Sequence, residues 1–292
     1  MEMDQGSILT MTDISETLLI PLYARAIESQ TKQPILIDTK AVEITQELNK
    51  FFLTSESKLH KTLLKGHVRR ILSKKLNATL ALRTRKFDRY CLDFLNENPD
   101  GVIVELGCGL STRFPRIDTG TLTWYDLDLP EVIDIKKQFF KETGRYHFIR
   151  SSVLDFKWMD QLSNQTKKVL FIAEGLLMYL YEDDVKNLVV ALQKNFPGCE
   201  LVGEVVNTYI VNMLKRRIWK KKFQRDYHLG KDVTFHFGVH DGNEFEQWNE
   251  GITFLDEWTY FDDTENKLGW MNFFGRFEKM KKALWVVHYQ LH

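Results

Sequence analysis

Apolar residues in the first hundred positions fall three and four apart, the spacing of helices that bury one face. Leu18, Leu19, Leu22, Ala26 and Ile27 predict a helix starting near Ser15-Glu16, with Pro21 tolerated in its first turns. Ala41 to Phe52 predicts a second helix. Leu63, Leu64, Val68, Ile71 and Leu72 predict a third, over Leu59 to about Asn77. A further amphipathic stretch runs from Lys86 to Leu95, with Phe87, Tyr90, Cys91 and Phe94 on one side, and stops at Asn98-Pro99-Asp100-Gly101.

Beyond that turn the pattern changes to short solid apolar blocks: Val102–Val104, Leu122–Tyr125, Tyr146–Ile149, Val169–Ala173 and Leu201–Val206. Such blocks, bounded by turn signals, are expected of strands buried on both faces. Helix-capable segments separate them, at Glu131–Lys141, Asp183–Asn195 and a shorter piece after Gly109. Alternation of this kind implies right-handed crossovers and a mostly parallel sheet, so the fold class is α/β. After Asn207 the pattern loosens into a basic helix, Thr208–Gln224, and an alternating stretch, Val233–Val239, that has the period of a strand. Ile252–Phe261 and Ala283–Leu291 supply the last strands. The expected organisation is one compact unit: a helical cap over residues 1–98, then the sheet domain over 99–292 with a substrate-binding insertion around 208–250.

The chain has 292 residues, a length that suits one large α/β domain, and 43% of them are hydrophobic, which excludes disorder and low complexity. No apolar run is long enough to span a bilayer, and the Met-Glu-Met-Asp-Gln start lacks signal-peptide order, so no membrane partner is expected. Three scattered cysteines, Cys91, Cys108 and Cys199, argue against a disulfide framework or a cysteine metal site and for a reducing cytoplasm. With 40 basic and 40 acidic residues the formal charge is zero, which argues against a general nucleic-acid binder. The charge is nevertheless uneven. Residues 58–86 hold ten Lys and Arg and no acid, and 215–225 read KRRIWKKKFQR, so a polyanion partner stays open beside solvated helix faces.

Candidate chemistry gathers at strand ends. Val102–Leu106 runs into Gly107-Cys108-Gly109, where glycine lets the backbone approach a ligand closely. The full nicotinamide fingerprint fails because Thr112 stands at its third glycine. Glu105 could meet a cationic amino group. Asp126 and Asp128 lie 19 and 21 residues beyond Gly107, the distance at which a carboxylate grips ribose hydroxyls, although either could serve as a helix cap. Asp155 and Phe156 follow the third strand, where an adenine edge would lie. Glu174 ends the fourth, a place where an acid is costly without a cation, a donor or water.

The series RTRKFDRYCLDFL, VELGCGLSTRF, WYDLDLPEVI, SSVLDF and FIAEGLLMYL, in this order over about residues 14–207, resembles the leucine carboxyl methyltransferase family. It looks closest to the bacterial branch related to the tetracenomycin polyketide O-methyltransferase. The resemblance implies a class I, Rossmann-like S-adenosylmethionine (SAM) methyltransferase with seven strands, the last antiparallel. It assigns Arg83 to the SAM carboxylate, Gly107 to the methionine portion, Asp128 to the ribose, Asp155 and Phe156 to the adenine, and Glu174 to the amino group or transfer centre. Ser111 stands where the family pattern has Asp, which leaves the hydrogen bonding of that turn open. No metal is implied.

A carboxylate acceptor needs only to be held, whereas a phenol or alcohol needs a general base. Tyr179, five residues after Glu174, is the candidate for orienting an acceptor, and His236 the candidate base, each with a purely structural alternative. The expected partner is a small-molecule acceptor carrying a carboxylate or hydroxyl. Rival readings are a protein C-terminal carboxyl methyltransferase, an RNA-modifying enzyme using the basic stretches, a non-catalytic SAM-binding regulator and, weakest, a nicotinamide dehydrogenase.

Overall fold

The computed structural model describes residues 18–65, 73–162, 167–227, 233–263 and 265–292. Seven strands form one sheet in the order β3-β2-β1-β4-β5-β7-β6. They are β1 (Val102–Leu106), β2 (Thr123–Asp128), β3 (Tyr146–Arg150), β4 (Val169–Ala173), β5 (Cys199–Val206), β6 (Ile252–Thr259) and β7 (Leu284–Leu291). The first five run parallel, and β7 inserts antiparallel between β5 and β6. Every residue of β1 and β4 is buried, as the apolar blocks Val102–Val104 and Val169–Ala173 require of central strands, and β1 carries Glu105 into that buried layer. Because β1 lies between β2 and β4, the chain leaves it in opposite directions across the sheet, and a crevice opens at the carboxyl ends of β1 and β4.

Four helices precede the sheet: α1 (Leu19–Ser29), α2 (Thr39–Phe52), α3 (Lys58–Leu64) and α4 (Lys74–Glu97). Asp38 caps α2 by accepting from the Ala41 N–H, and Ser73 caps α4 by accepting from the Leu76 N–H. That second cap corrects the expected boundaries. Residues 59–64 of the expected third helix fall in α3, and its last residues, from Lys74, fall in a 24-residue helix that continues through the stretch expected from Lys86, with Asn77 buried near its start. Residues 15–17 and 66–72, on which parts of two expected helices fall, lie outside the described residues.

Between the strands run α5 (Arg113–Ile117), α6 (Pro130–Lys136, shorter than expected) and α7 (Glu182–Asn195). The expected Thr208–Gln224 helix is two helices, α8 (Thr208–Leu214) and α9 (Arg217–Tyr227). A short α10 (Glu278–Lys281) precedes β7. The segment 233–239 is not a sheet strand. Its one ladder contact is an isolated bridge between Val239 and Asn207, yet Phe237 and Val239 are buried while His236 and His240 are exposed. Alternation reported two faces correctly but carried no information about a pairing partner. Among the described residues no helix is long and apolar enough to cross a membrane.

Candidate functional site

The crevice starts at the turn after β1. Gly107 (φ 64°) and Gly109 (φ 49°) both adopt the left-handed conformation that favours glycine. Both are also tightly packed, since a Cβ on Gly107 would stand 2.9 Å from Leu176 and one on Gly109 3.0 Å from Leu18. The turn is pinned to β2: Gly107 and Cys108 donate their N–H groups to the Leu127 carbonyl, and Gly109 donates to Asp128 Oδ2 at 2.7 Å. Ser111 fits as well, its Oγ accepting from the Arg113 N–H.

The two aspartates of β2 have different fates. Asp128 is half-buried, and each carboxylate oxygen accepts one backbone N–H, from Gly109 and from Leu129. Each oxygen keeps a lone pair for an incoming hydroxyl. The adjacent loop after β3 is tied to the same place by the Ser151 N–H, which donates to the Asp128 carbonyl. Asp126 is 1% exposed and spent: it pairs with Lys136 at 2.6 Å and accepts from the Tyr146 hydroxyl and from Trp124 Nε1. It is a buried structural ion pair, which corrects the expectation that both acids face a ligand. Sequence distance alone could not separate them.

Beside the turn lies a dense array of ion pairs. Arg83, on α4, donates from Nε to Glu174 Oε1 at 2.8 Å and from Nη1 to Glu204 Oε2 at 2.9 Å. Its Nη2 has no hydrogen-bond partner among the described residues. Arg113, 1% exposed, donates to Asp88, Glu105 and Glu174, one nitrogen to each. Arg116 joins Asp88 to Asp38, and Asp38 also accepts from Arg25 and Thr112. The helical cap is thereby wired to the glycine turn. Glu105, Glu174 and Glu204 face two guanidiniums, Arg83 and Arg113, so the inner part of the array carries an excess of negative charge.

The electrostatics follow from this geometry. Burial alone would raise the Glu174 carboxyl, but Arg83 and Arg113 outweigh it and bring it down to about 2. Burial dominates at Glu105, with Asp126 and Glu174 adding repulsion against the pull of Arg113 and Lys136, and its carboxyl is pushed up to about 7. Glu105 Oε2 is buried with no hydrogen-bond partner. An orphaned acceptor, an unspent guanidinium nitrogen, two close-approach glycines and a half-open carboxylate complement an ammonium, a carboxylate, a thioether chain and a ribose. The donor set fits SAM.

Sequence reasoning missed Glu204 and Tyr260. Glu204 is an acid inside the buried block LVGEVV, the same signal that drew attention to Glu174, whereas nothing in the sequence marked Tyr260. The other expected residues lie at the rim. Asp155 is exposed and Phe156 half-buried at the mouth of β3. Tyr179 is 39% exposed, with its ring 5.4 Å from Phe235, which in turn lies 5.0 Å from Phe223 of α9. Protein packed around the remainder of Tyr179 pushes its phenol up to about 12. His236 is exposed and lies against Tyr181 at 4.4 Å, while its backbone N–H donates to the Met178 carbonyl. The structure thus brings Arg83, Glu105 and Glu174 together and joins Gly109 to Asp128, and it leaves the His236 ring in solvent. The basic run 58–86 is dispersed: Arg83 turns inward, Lys61 pairs with Glu56, and Arg85 pairs with Asp263.

A seven-stranded sheet with this order and this ligand-receiving rim defines a class I SAM-dependent methyltransferase, and SAM is its cofactor. Residues 19–193 match the leucine carboxyl methyltransferase family, and the chain belongs to it. It is 28% identical over 260 residues to the tetracenomycin polyketide synthesis O-methyltransferase TcmP of Streptomyces glaucescens, covering 88% of this chain and 87% of that one. It is 29% identical over 213 residues to the SAM-dependent methyltransferase dpfgK of Gibberella zeae, covering 70% and 68%. Among solved structures, a duf574 family protein from Streptomyces avermitilis shares the fold with a TM-score of 0.55 at 11% identity, covering 84% of this chain and 96% of that one.

Proposed function

We propose that this enzyme is an O-methyltransferase that esterifies a carboxylate on a small molecule with an aromatic or apolar body. The observation that carries the reading is Tyr179. Its phenol stays protonated at neutral pH, as an ordinary phenol with a pKa of about 10 already does, so it can donate a hydrogen bond but not remove a proton. Phe235 and Phe223 extend an aromatic wall beside it, and His236, the expected base, lies against Tyr181 in solvent. An acceptor that is already ionised, with a carboxyl reference pKa near 4, requires no base. The O-methyltransferase name of TcmP, matched over most of both chains, supports oxygen as the acceptor atom. Three free, buried cysteines support a reducing, cytoplasmic setting.

In this reading Arg83 Nη2 receives the cofactor carboxylate, Glu105 Oε2 its ammonium, Asp128 the ribose hydroxyls, and Asp155 and Phe156 the adenine, with Gly107 and Gly109 under the chain between. When bound, the cofactor supplies a methyl group on a cationic sulfur. Glu174 accepts from Arg83 and from Arg113, one oxygen to each, beside the transfer centre, and Tyr179 orients the acceptor oxygen. Alignment and exclusion of water then carry most of the acceleration.

The test incubates the enzyme with isotopically labelled SAM and a panel of aromatic acids, matched phenols and peptides with free C-termini. Alkali-labile methyl esters on the small acids are the expected product. Alkali-stable ethers alone would overturn the carboxylate assignment. Esters on peptides alone would overturn the small-molecule one.

A further inference from the structure

The array around Arg83 includes two groups that no step above uses. Glu204 is 0% exposed on β5, and its carboxylate is divided between two donors: Oε2 accepts from Arg83 Nη1 at 2.9 Å and Oε1 from the Tyr260 hydroxyl at 2.6 Å. Tyr260 is 6% exposed, directly follows β6, and packs 5.1 Å from the buried ring of Trp258. Arg83 is therefore gripped from two sides, by Glu174 at the end of β4 and by Glu204 on β5. The Gly175 turn closes over the grip, because a Cβ there would stand 3.6 Å from Arg83 Nη1 and 3.7 Å from Glu204 Oε2.

A buried acid–arginine pair is weak evidence for stability, because desolvation offsets most of the attraction. Geometry accounts for this one better. The guanidinium is a rigid planar fork, so fixing Nε and Nη1 sets its plane and leaves Nη2 facing one direction. We propose that Glu204 and Tyr260 are positioning residues, acting through Arg83 to aim Nη2 at the carboxylate of the cofactor. This inference rests on the assignment of Arg83 to that carboxylate. Tyr260 anchors Oε1 of Glu204, and Oε2 holds the guanidinium in register. The segment after β6 thereby tunes a cofactor contact made by a helix in the first hundred residues.

The test measures binding of S-adenosylhomocysteine and of 5′-methylthioadenosine, which lacks the amino-acid portion, to the wild type, Tyr260→Phe, Glu204→Gln and Arg83→Gln. Thermal melting identifies the variants that remain folded. Loss of an aimed, charge-assisted hydrogen bond is expected to weaken S-adenosylhomocysteine by about tenfold in Tyr260→Phe and Glu204→Gln. Binding of 5′-methylthioadenosine should be unchanged. Equal weakening of both ligands, or of neither, would overturn the positioning role. An unchanged ratio in Arg83→Gln would instead remove the assignment of Arg83 itself. A changed ratio in Arg83→Gln, with none in the other two variants, would remove only the inference about Glu204 and Tyr260.

Discussion

The cofactor rim and the acceptor mouth are built from opposite materials. Between Arg83 and Glu204 the rim is charge on charge: Arg83 and Arg113 are interleaved with Asp88, Glu105, Glu174 and Glu204, all nearly buried. At the mouth, Tyr179, Phe235 and Phe223 meet ring to ring, supported by an irregular segment and two short helices. The family match ends at residue 193, before β5 and before most of those rings. The difference follows from the ligands. One partner is the same charged molecule in every turnover and rewards charges held in fixed places. In the proposed reading the other is recognised by shape and apolar contact, which many side-chain sets can supply.

The contrast breaks most visibly at Arg113. Arg113→Met should leave Asp88, Glu105 and Glu174 short of a buried cation and cost about 3–5 kcal/mol, measured by urea unfolding. An unchanged midpoint would mean that the array does not hold the rim together. Next come the two β2 acids. Asp128→Ala is expected to weaken SAM by roughly 10–100-fold in calorimetry, by loss of hydrogen bonds to a charged group. Asp126→Asn should lower the melting temperature with SAM affinity nearly intact, and the reverse pattern would exchange their roles. At the mouth, Tyr179→Phe should reduce kcat/KM for the acceptor by about tenfold while SAM affinity holds. A parallel loss of both would merge the two regions.

The smallest expected effect is in the pH dependence of binding. Burial, with Asp126 and Glu174 against Arg113 and Lys136, pushes the Glu105 carboxyl up to about 7, and only its ionised form attracts an ammonium. SAM affinity should therefore rise with pH up to about 7, by less than tenfold per unit, and level off above it. Glu105→Gln should bind more weakly with a flat profile. Stability has the opposite origin at Glu174. Its carboxyl is lowered from the model-compound 4.5 to about 2, so its contribution is complete above 4.5 and is lost as pH falls toward 2. Unfolding of Glu174→Gln should depend less on pH across that window.

The parts legible in the sequence are those in which burial alone dictates residue type. β1 and β4 read directly because a strand covered on both faces admits almost nothing but apolar side chains. Segment 233–239 misled because alternation records exposure, not hydrogen-bond partners, and Phe237 and Val239 bury themselves without a ladder. The start of the Lys74–Glu97 helix reads as the end of the preceding stretch because buried Asn77 resembles a terminator until its packing is known. Asp126 and Asp128 carry the same side chain two residues apart, and only Lys136, Tyr146 and Trp124, brought in by the fold, separate them. Glu204 was legible by the rule that singled out Glu174, whereas Tyr260 depends on where the strand pair β6–β7 delivers its end.

The surplus of carboxylates over guanidiniums at the inner rim sets up a competition between two visitors. Burial and the neighbouring Asp126 and Glu174 favour a proton on Glu105, and on the proposed assignment the ammonium of an arriving cofactor would compete with that proton for the same carboxylate. The demethylated product keeps its ammonium, so on that assignment the proton would return only when the product leaves. Each catalytic cycle would then be accompanied by the release and uptake of a fraction of one hydrogen ion, at a position that touches neither the methyl group nor its acceptor.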